Sequence, residues 1–172
     1  MPKLPLSESG LKLKKLLEER AVFLDGAMGT LIQREKLAEP EFRRGVPELE
    51  SNALPQLGNN DILNLTRPDV IAKINRAYYE AGSDIVTTGT FGANLLVQSE
   101  YGNGEGLVRR MNARAVEIAR EEAVLSEKMA ELCEADSRLG FHSEAESHLY
   151  SKERLIWRIG KLKETAAQIG AA

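Results

Sequence analysis

A short glycine-containing segment has the residue types needed to bind an amino acid. It follows an apolar run, precedes a helix-forming stretch and consists of Asp25, Gly26, Ala27, Met28, Gly29 and Thr30. Glycines let a backbone approach a ligand closely, and the amides that begin a helix can hold a carboxylate or phosphate. A carboxylate such as that of Asp25 can take an ammonium group. The alternative is a tight turn, in which the glycines only permit a positive φ and Asp25 caps the helix.

A second group of candidates is the threonine cluster Thr87, Thr88 and Thr90. Threonine is common in strands because of its β-branched side chain, so the cluster by itself indicates structure. Thr88 and Thr90 become candidates for a binding site because the expected fold places them beside Asp25.

Metal ligation has little support in the sequence. Cys133, His142 and His148 could be imagined as ligands, but their spacing fits no zinc pattern. A lone cysteine on a helix usually packs against other residues or lies at the surface. We therefore expect no metal site within this chain.

Two predicted strands and one helix position the candidate residues. Residues 21–25 form a short apolar run that ends at a glycine, as in buried parallel strands. Residues 84–91 are rich in β-branched types and predict a second strand. Residues 67–81 carry an apolar face at helical spacing. Because strand–helix–strand units are right-handed and parallel, Asp25 and the segment Thr88–Thr90 are expected at one edge.

The remaining segments are predicted to be helices and one long loop. Helices are expected over residues 11–20 and 31–37, and a long amphipathic helix begins near Leu107. Residues 38–60 contain three prolines and no sustained periodicity, which predicts the loop. No third strand pattern follows the long helix.

Composition limits the classes of partner. The chain has 172 residues and a net charge of -3, which argues against binding to nucleic acid or an anionic membrane surface. No apolar run approaches the roughly 18–20 residues that cross a bilayer, and no secretory signal is visible. The single cysteine excludes an intramolecular disulfide. We expect a cytoplasmic protein without nucleic-acid or membrane partners.

Three blocks, in order along the chain, are more specific together than any one alone. They are Arg20-Ala-Val-Phe-Leu-Asp-Gly-Ala-Met-Gly-Thr-Leu-Ile-Gln33, Gly58-Asn-Asn-Asp-Ile-Leu-Asn-Leu-Thr-Arg-Pro-Asp-Val-Ile71, and Ala77-Tyr-Tyr-Glu-Ala-Gly-Ser-Asp-Ile-Val86 running into Thr90-Phe91. They resemble the homocysteine S-methyltransferase family, in particular the N-terminal homocysteine-binding domain of cobalamin-dependent methionine synthases. The resemblance covers about residues 10–124. It divides the chain into part of such a domain, 1–125, and a helical extension of unknown origin, 126–172.

The resemblance implies a fold, a substrate and cofactors. The fold is α/β: the first two βα units of a (β/α)8 TIM barrel, followed by a helical C-terminal tail. In the family, zinc held by three cysteine thiolates binds the homocysteine sulfur, whose thiolate attacks a methyl group on cobalamin or another donor. Carried over, Asp25 and Gly26 contact the amino-acid end of homocysteine, and the amides of Ala27 through Thr30 line the same pocket. A domain that carries cobalamin or folate is a candidate partner.

Two departures from the family pattern bear on activity. Many relatives have Thr-Asn-Thr-Phe where this chain has Thr88-Gly89-Thr90-Phe91, so any contact from that asparagine is lost. The zinc cysteines are missing, and Cys133 lies outside the matched region. Because an eight-fold barrel needs about 200–250 residues or more, we expect that this chain does not close one.

Three hypotheses follow for function. The first is a truncated N-terminal portion of a homocysteine S-methyltransferase, inactive alone. The second is a non-catalytic small α/β module that binds an anionic metabolite or amino acid. The third is a fragment that functions only with a partner.

Overall fold

The described part of the chain is built from helices. This computed structural model describes residues 5–138, and from residue 128 onward the helical backbone alone. The described α-helices are α1 (Glu8–Glu19), α2 (Met28–Arg34), α3 (Pro47–Glu50), α4 (Leu63–Thr66), α5 (Pro68–Glu80), α6 (Leu95–Glu100) and α7 (Glu105–Arg138). Two short 3-10 helices, Glu39–Phe42 and Asn60–Ile62, interrupt the long loop and precede α4.

Helix α5 confirms the helix predicted over residues 67–81. Its N-terminal Pro68 lies where a backbone N–H has no partner within the helix. Its C-terminus closes with Gly82 at φ 97°, whose amide donates to Tyr79 O, while Ser83 N donates to Tyr78 O. This pair of hydrogen bonds is the Schellman motif, and glycine fits it because the left-handed conformation strains other residues.

The core lies between α5 and the first half of α7, with α4 packed against both. Its fully buried apolar side chains are Leu49, Ile62, Leu63, Val70, Ile71, Met111 and Ile118. Helix α7 starts at Glu105, as the pattern near Leu107 predicted. It continues to Arg138, in agreement with the absence of a third strand pattern in the sequence, and residues 139–172 of the predicted extension lie outside the described residues.

The predicted α/β fold, with two βα units of a (β/α)8 barrel, is wrong. Among residues 5–138 there is no strand and no sheet. The two segments expected as strands meet in one isolated parallel bridge, between Leu24 and Ile85. The carbonyl oxygen of Phe23 accepts hydrogen bonds from Asp84 N and Ile85 N at 2.8 and 3.2 Å. Asp25 N donates to Ile85 O at 3.0 Å.

Side chains take the place of backbone groups on either side of this bridge. The carboxylate of Asp84 accepts the amide of Phe23 at 3.0 Å, and that of Asp25 accepts the amide of Thr87 at 2.9 Å. Each of these amides would otherwise extend a ladder. Two paired segments without further neighbours are also marginal in water, so nothing propagates the pairing into strands.

The ion pair between Glu39 and Arg43 ties together several parts of the loop predicted over residues 38–60. Glu39 accepts hydrogen bonds from the amides of Gln56 and Leu57 and from Arg43. Arg43 in turn donates to the carbonyl oxygens of Leu49, Asn52 and Leu54. Burial opposes ionisation of Glu39, but these donors outweigh it and hold its pKa below the ordinary value.

Candidate functional site

Asp25 lies at the end of the bridged segment and is only half satisfied. Its Oδ2 accepts hydrogen bonds from Thr87 N at 2.9 Å and Thr87 Oγ1 at 3.1 Å. Its Oδ1 is buried and has no hydrogen-bond partner among the residues the structure describes. A carboxylate oxygen that is shielded from water yet accepts nothing is costly, and groups of this kind are frequent where a ligand binds.

The turn after Asp25 does not behave as a simple glycine turn. The positive φ belongs to Ala27, at 44°, whereas Gly26 and Gly29 are absent from the described glycines with positive φ. Ala27 also occupies the N-cap of α2, where no side chain caps the helix. Neither part of the turn alternative therefore holds, because the glycines do not supply the left-handed residue and Asp25 does not cap α2.

The space around this turn is open on the side of the glycines. A Cβ added to Gly26 would meet no described atom within 4 Å, and one on Gly29 would come no closer than 4.0 Å to Asn60 Nδ2. Leu31 N, which donates to Ala27 O at 3.1 Å, makes the first hydrogen bond within α2. The amides of residues 28–30 precede it and have no partner within their own helix.

Thr88 and Thr90 lie on the segment that Asp25 holds. Their hydroxyl oxygens are 2.8 Å apart, and Thr90 N donates to Thr88 O at 2.8 Å. Thr87, rather than Thr88 or Thr90, makes the direct contact with Asp25. The structure therefore links the two predicted groups of site residues through Thr87, which the sequence analysis named in the threonine cluster without proposing it as a binding residue.

Met28 and Asn64 border Gly89, the residue that stands where many relatives have asparagine. A Cβ on Gly89 would lie 3.0 Å from Met28 Sδ and 3.6 Å from both side-chain polar atoms of Asn64. Asn64 is fully buried, and its Nδ2 donates to Gly89 O at 2.6 Å and Asp61 O at 2.8 Å. Glycine at this position lets the thioether and the carboxamide approach the backbone.

Asp61 holds the other side of the same loop. Its Oδ1 accepts Gly92 N at 2.9 Å, and a Cβ on Gly92 would come within 2.8 Å of its Oδ2. Burial raises the pKa of Asp61, an effect that the amides of Gly92 and Ala93 partly offset. The glycine is thus required for a close approach of carboxylate to backbone.

A buried cluster of four carboxamides supports this loop from below. Its members are each at most 4% exposed and are Gln56, Asn59, Gln98 and Asn103. Gln98 exchanges hydrogen bonds with Asn59, both at 2.9 Å, and donates to Gly92 O at 3.1 Å. Asn103 Nδ2 donates to Gln56 and Gln98 at 3.0 and 2.9 Å. The network joins the long loop to the start of α7 and fixes the carbonyl of Gly92.

Tyr78, on α5, adjoins the candidate site. Its side chain is buried. Burial raises the pKa of the Tyr78 phenol and the charge of Asp25 adds to the rise, while the Gly26 amide acts in the opposite direction. Both residues of the Asp25–Gly26 turn are therefore close enough to Tyr78 to influence its ionisation.

Asn64 and Asp61 line the candidate site but were not predicted from the sequence, and the contact of Thr87 with Asp25 was not predicted either. Asn64 and Asp61 are in the second family-like block, which was a signal for their region but not for their roles. Thr87 adjoins a predicted site residue. Nothing in the sequence indicates that the carboxamide of Asn64 donates to two backbone carbonyls, because those partners are set by tertiary contacts.

The zinc implied by the resemblance has no ligand set in the part of the chain that the structure describes. Among the described residues, no group of three or more histidine, cysteine, aspartate or glutamate side chains could hold a metal ion. The side chain of Cys133, together with His142 and His148, lies outside the described residues. We therefore assign no step to zinc.

Comparison with known families decides the lineage. The chain matches the sequence model of the family described as homocysteine S-methyltransferase over residues 22–168. The chain belongs to the homocysteine S-methyltransferase family. The matched span contains every predicted site residue and runs on past residue 124, where the resemblance was expected to end. The division of the chain near residue 125 stays a prediction.

Membership of the homocysteine S-methyltransferase family makes homocysteine the expected substrate class. Full-length members are methyltransferases of a zinc-dependent type. No helix in the described part of the chain is long and apolar enough to span a membrane.

Proposed function

We propose that this chain binds homocysteine by its amino-acid end, as the substrate-recognising part of a methyl transfer to the homocysteine sulfur. The binding residues are Asp25, Gly26, Ala27, Met28, Gly29, Thr30, Thr88 and Thr90. Zinc and the methyl donor, cobalamin or a folate carried by another domain, act through residues other than these. The chain alone then holds substrate without completing the reaction.

The unpartnered oxygen of Asp25 is the observation that supports this proposal most directly. Its Oδ2 is committed to Thr87, which fixes the carboxylate plane, so Oδ1 is held in one place. An ammonium group supplies both a positive charge and the missing N–H donor. Hydrogen bonds of this charge-assisted type are about twice as strong as neutral ones.

The carboxylate of the amino acid needs donors beside that ammonium. The amides of residues 28–30 meet the need, because they precede the first internal hydrogen bond of α2. The open space around Gly26 lets a ligand approach the backbone. Helix α2 has seven residues, so hydrogen bonding rather than a long helix dipole is the main contribution.

Isothermal titration calorimetry of the whole chain with homocysteine tests the proposal. Asp25→Asn keeps an acceptor for Thr87 but removes the charge, so we expect its Kd for homocysteine to rise about tenfold or more, the effect of losing a hydrogen bond to a charged group. The matched control, Glu18→Gln, makes the same charge change on exposed α1 and leaves Kd unchanged. No binding by the wild-type chain, or equal binding by Asp25→Asn, overturns the proposal.

A turnover assay addresses the second half of the proposal. With homocysteine, zinc and methylcobalamin or a methylated folate supplied, the chain alone is expected to form no methionine. Methionine formation above the protein-free rate contradicts the division between recognition and catalysis, whereas it leaves homocysteine binding intact.

A further inference from the structure

We infer that Asn64 is a second homocysteine-binding residue, whose Oδ1 accepts a hydrogen bond from the same ammonium group as Asp25. The inference rests on the proposed function and deepens it. It assigns a ligand contact to a residue outside the segments from which the site was predicted.

The hydrogen bonds of Asn64 fix which way its carboxamide points. Nδ2 donates to two backbone carbonyls, Asp61 O at 2.8 Å and Gly89 O at 2.6 Å. A carboxamide nitrogen has two protons, and both are used. A flipped amide would turn its oxygen toward two carbonyl oxygens and is excluded. Oδ1 therefore points to the opposite side from these carbonyls.

That oxygen is an orphaned acceptor. The Asn64 side chain is fully buried, and no donor within the described part of the chain reaches its Oδ1. Buried polar atoms are nearly always hydrogen-bonded in folded proteins, so an exception needs an explanation. A bound ligand with an N–H donor supplies one.

The carboxamide of Asn64 lies beside the predicted binding segment. Both of its polar atoms are 3.6 Å from the position that a Cβ on Gly89 would take, and Met28 Sδ lies 3.0 Å from the same position. Met28 belongs to the predicted binding segment. Glycine therefore places no side chain between the Asn64 carboxamide and Met28.

Asp25 and Asn64 hold the two ends of one short segment. Asp25 Oδ2 binds Thr87 N, and Asn64 Nδ2 binds Gly89 O. These residues are two apart, so their Cα atoms are at most about 7 Å from each other. Asp25 and Asn64 each have one buried side-chain oxygen that no donor within residues 5–138 reaches. Both unused atoms are acceptors, and an ammonium group carries three donors.

The test compares two ligands that differ only in the ammonium group. Homocysteine and 4-mercaptobutanoate, which has hydrogen in its place, are titrated into the wild-type chain and into Asn64→Ala. A lost hydrogen bond to a charged group raises Kd about tenfold or more, so we expect that loss for homocysteine and little change for the analogue. The control is Asn112→Ala, because Asn112 also donates to two backbone carbonyls, at 2.7 and 2.9 Å. It should change neither Kd.

A measurement on the wild-type chain covers the case in which Asn64→Ala does not fold. Homocysteine is expected to shift the side-chain amide signals of Asn64 in nitrogen–proton correlation spectra, and 4-mercaptobutanoate is not. Equal weakening of both ligands by Asn64→Ala, or unshifted Asn64 signals with homocysteine bound, overturns this inference and leaves the proposed function standing. Absence of homocysteine binding by the wild-type chain overturns both.

Discussion

Arg20 and Asp84 form a two-pronged ion pair across 64 residues of sequence, with N–O distances of 2.7 and 2.6 Å. The carboxylate of Asp84 also accepts the amide of Phe23 at 3.0 Å. The pair adjoins the single bridge between Leu24 and Ile85. It therefore helps to attach the N-terminal segment, and Asp25 with it, to the helical body.

Arg20→Gln is expected to lower the free energy of unfolding by about 1 kcal/mol, the upper range for a partly exposed ion pair. Asp84 remains bonded to the amide of Phe23, so the loss should not unfold the chain. Lys14→Gln removes an exposed pair on α1 and should change stability by less than about 0.5 kcal/mol. Urea denaturation measures both. Equal changes in the free energy of unfolding for the two substitutions would show that the Arg20–Asp84 pair stabilises the fold no more than an exposed pair does.

Gly92→Ala is expected to destabilise the chain because its Cβ would lie 2.8 Å from Asp61 Oδ2 and 3.2 Å from Val97. Overpacking of this kind typically costs about 1–3 kcal/mol. Gly106→Ala is the matched control, since it lies in the first turn of α7 with open space around it. Alanine there should be neutral or stabilise by up to about 1 kcal/mol. A melting temperature for Gly92→Ala at or above that of Gly106→Ala contradicts the packing argument.

Gln98→Leu should be the most destabilising of these substitutions. It removes the partners of Asn59 and Asn103 and of the Gly92 carbonyl, all within the buried carboxamide cluster. Each buried group left unsatisfied costs about 1–3 kcal/mol, so a total near or above 3 kcal/mol is expected. Ser99→Ala, one residue further on an exposed surface, should be close to neutral. If the melting temperatures of the Gln98→Leu and Ser99→Ala chains were equal, the cluster would add no stability.

The pH dependence of stability should differ in sign between Asp61 and Glu39. Asp61 has a folded-state pKa raised above the ordinary 3.8, so it stabilises the fold in its protonated form below that pH. This contribution is lost as pH rises through the folded-state pKa. Asp61→Asn should therefore gain melting temperature relative to the wild type as the pH rises above 3.8.

Glu39→Gln provides the opposite case. The pKa of Glu39 is lowered from its ordinary 4.5, so its contribution is present above that pH and is lost as pH falls through the folded-state value. The substitution should cost stability at neutral pH and little in acid. Parallel pH profiles for the two variants would contradict the assigned shifts.

Local patterns predicted the helices well. Helix α5 and the start of α7 follow from apolar spacing and from Pro68 and Gly82, because those signals act within a few residues. The strand predicted over residues 84–91 from β-branched residues was wrong. A β-branched segment forms a strand only when it packs beside other strands, and this segment forms one bridge among the described residues. The motif at Asp25 was found in sequence.

The residues that surround the Asp25 motif in the structure were not predicted from the sequence. Thr87 and Asn64 contribute through atoms whose partners are distant in sequence, and a carboxamide in a loop gives no sign of which carbonyl it will meet. The same holds for Gln98, whose bonds reach Asn59, 39 residues away. These are tertiary choices, which periodicity does not encode.

The attachment of the N-terminal segment has a thermodynamic consequence. None of the residues of α1 is buried, so the segment is held to the body chiefly by residues 20–25. Release of that short stretch would carry Asp25 away from Thr87 and dismantle the proposed homocysteine site in the same event. The proposed binding therefore predicts that local opening and ligand affinity form one linked equilibrium, in which a bound amino acid slows hydrogen exchange at the amides of Asp25 and Thr87 in proportion to its occupancy.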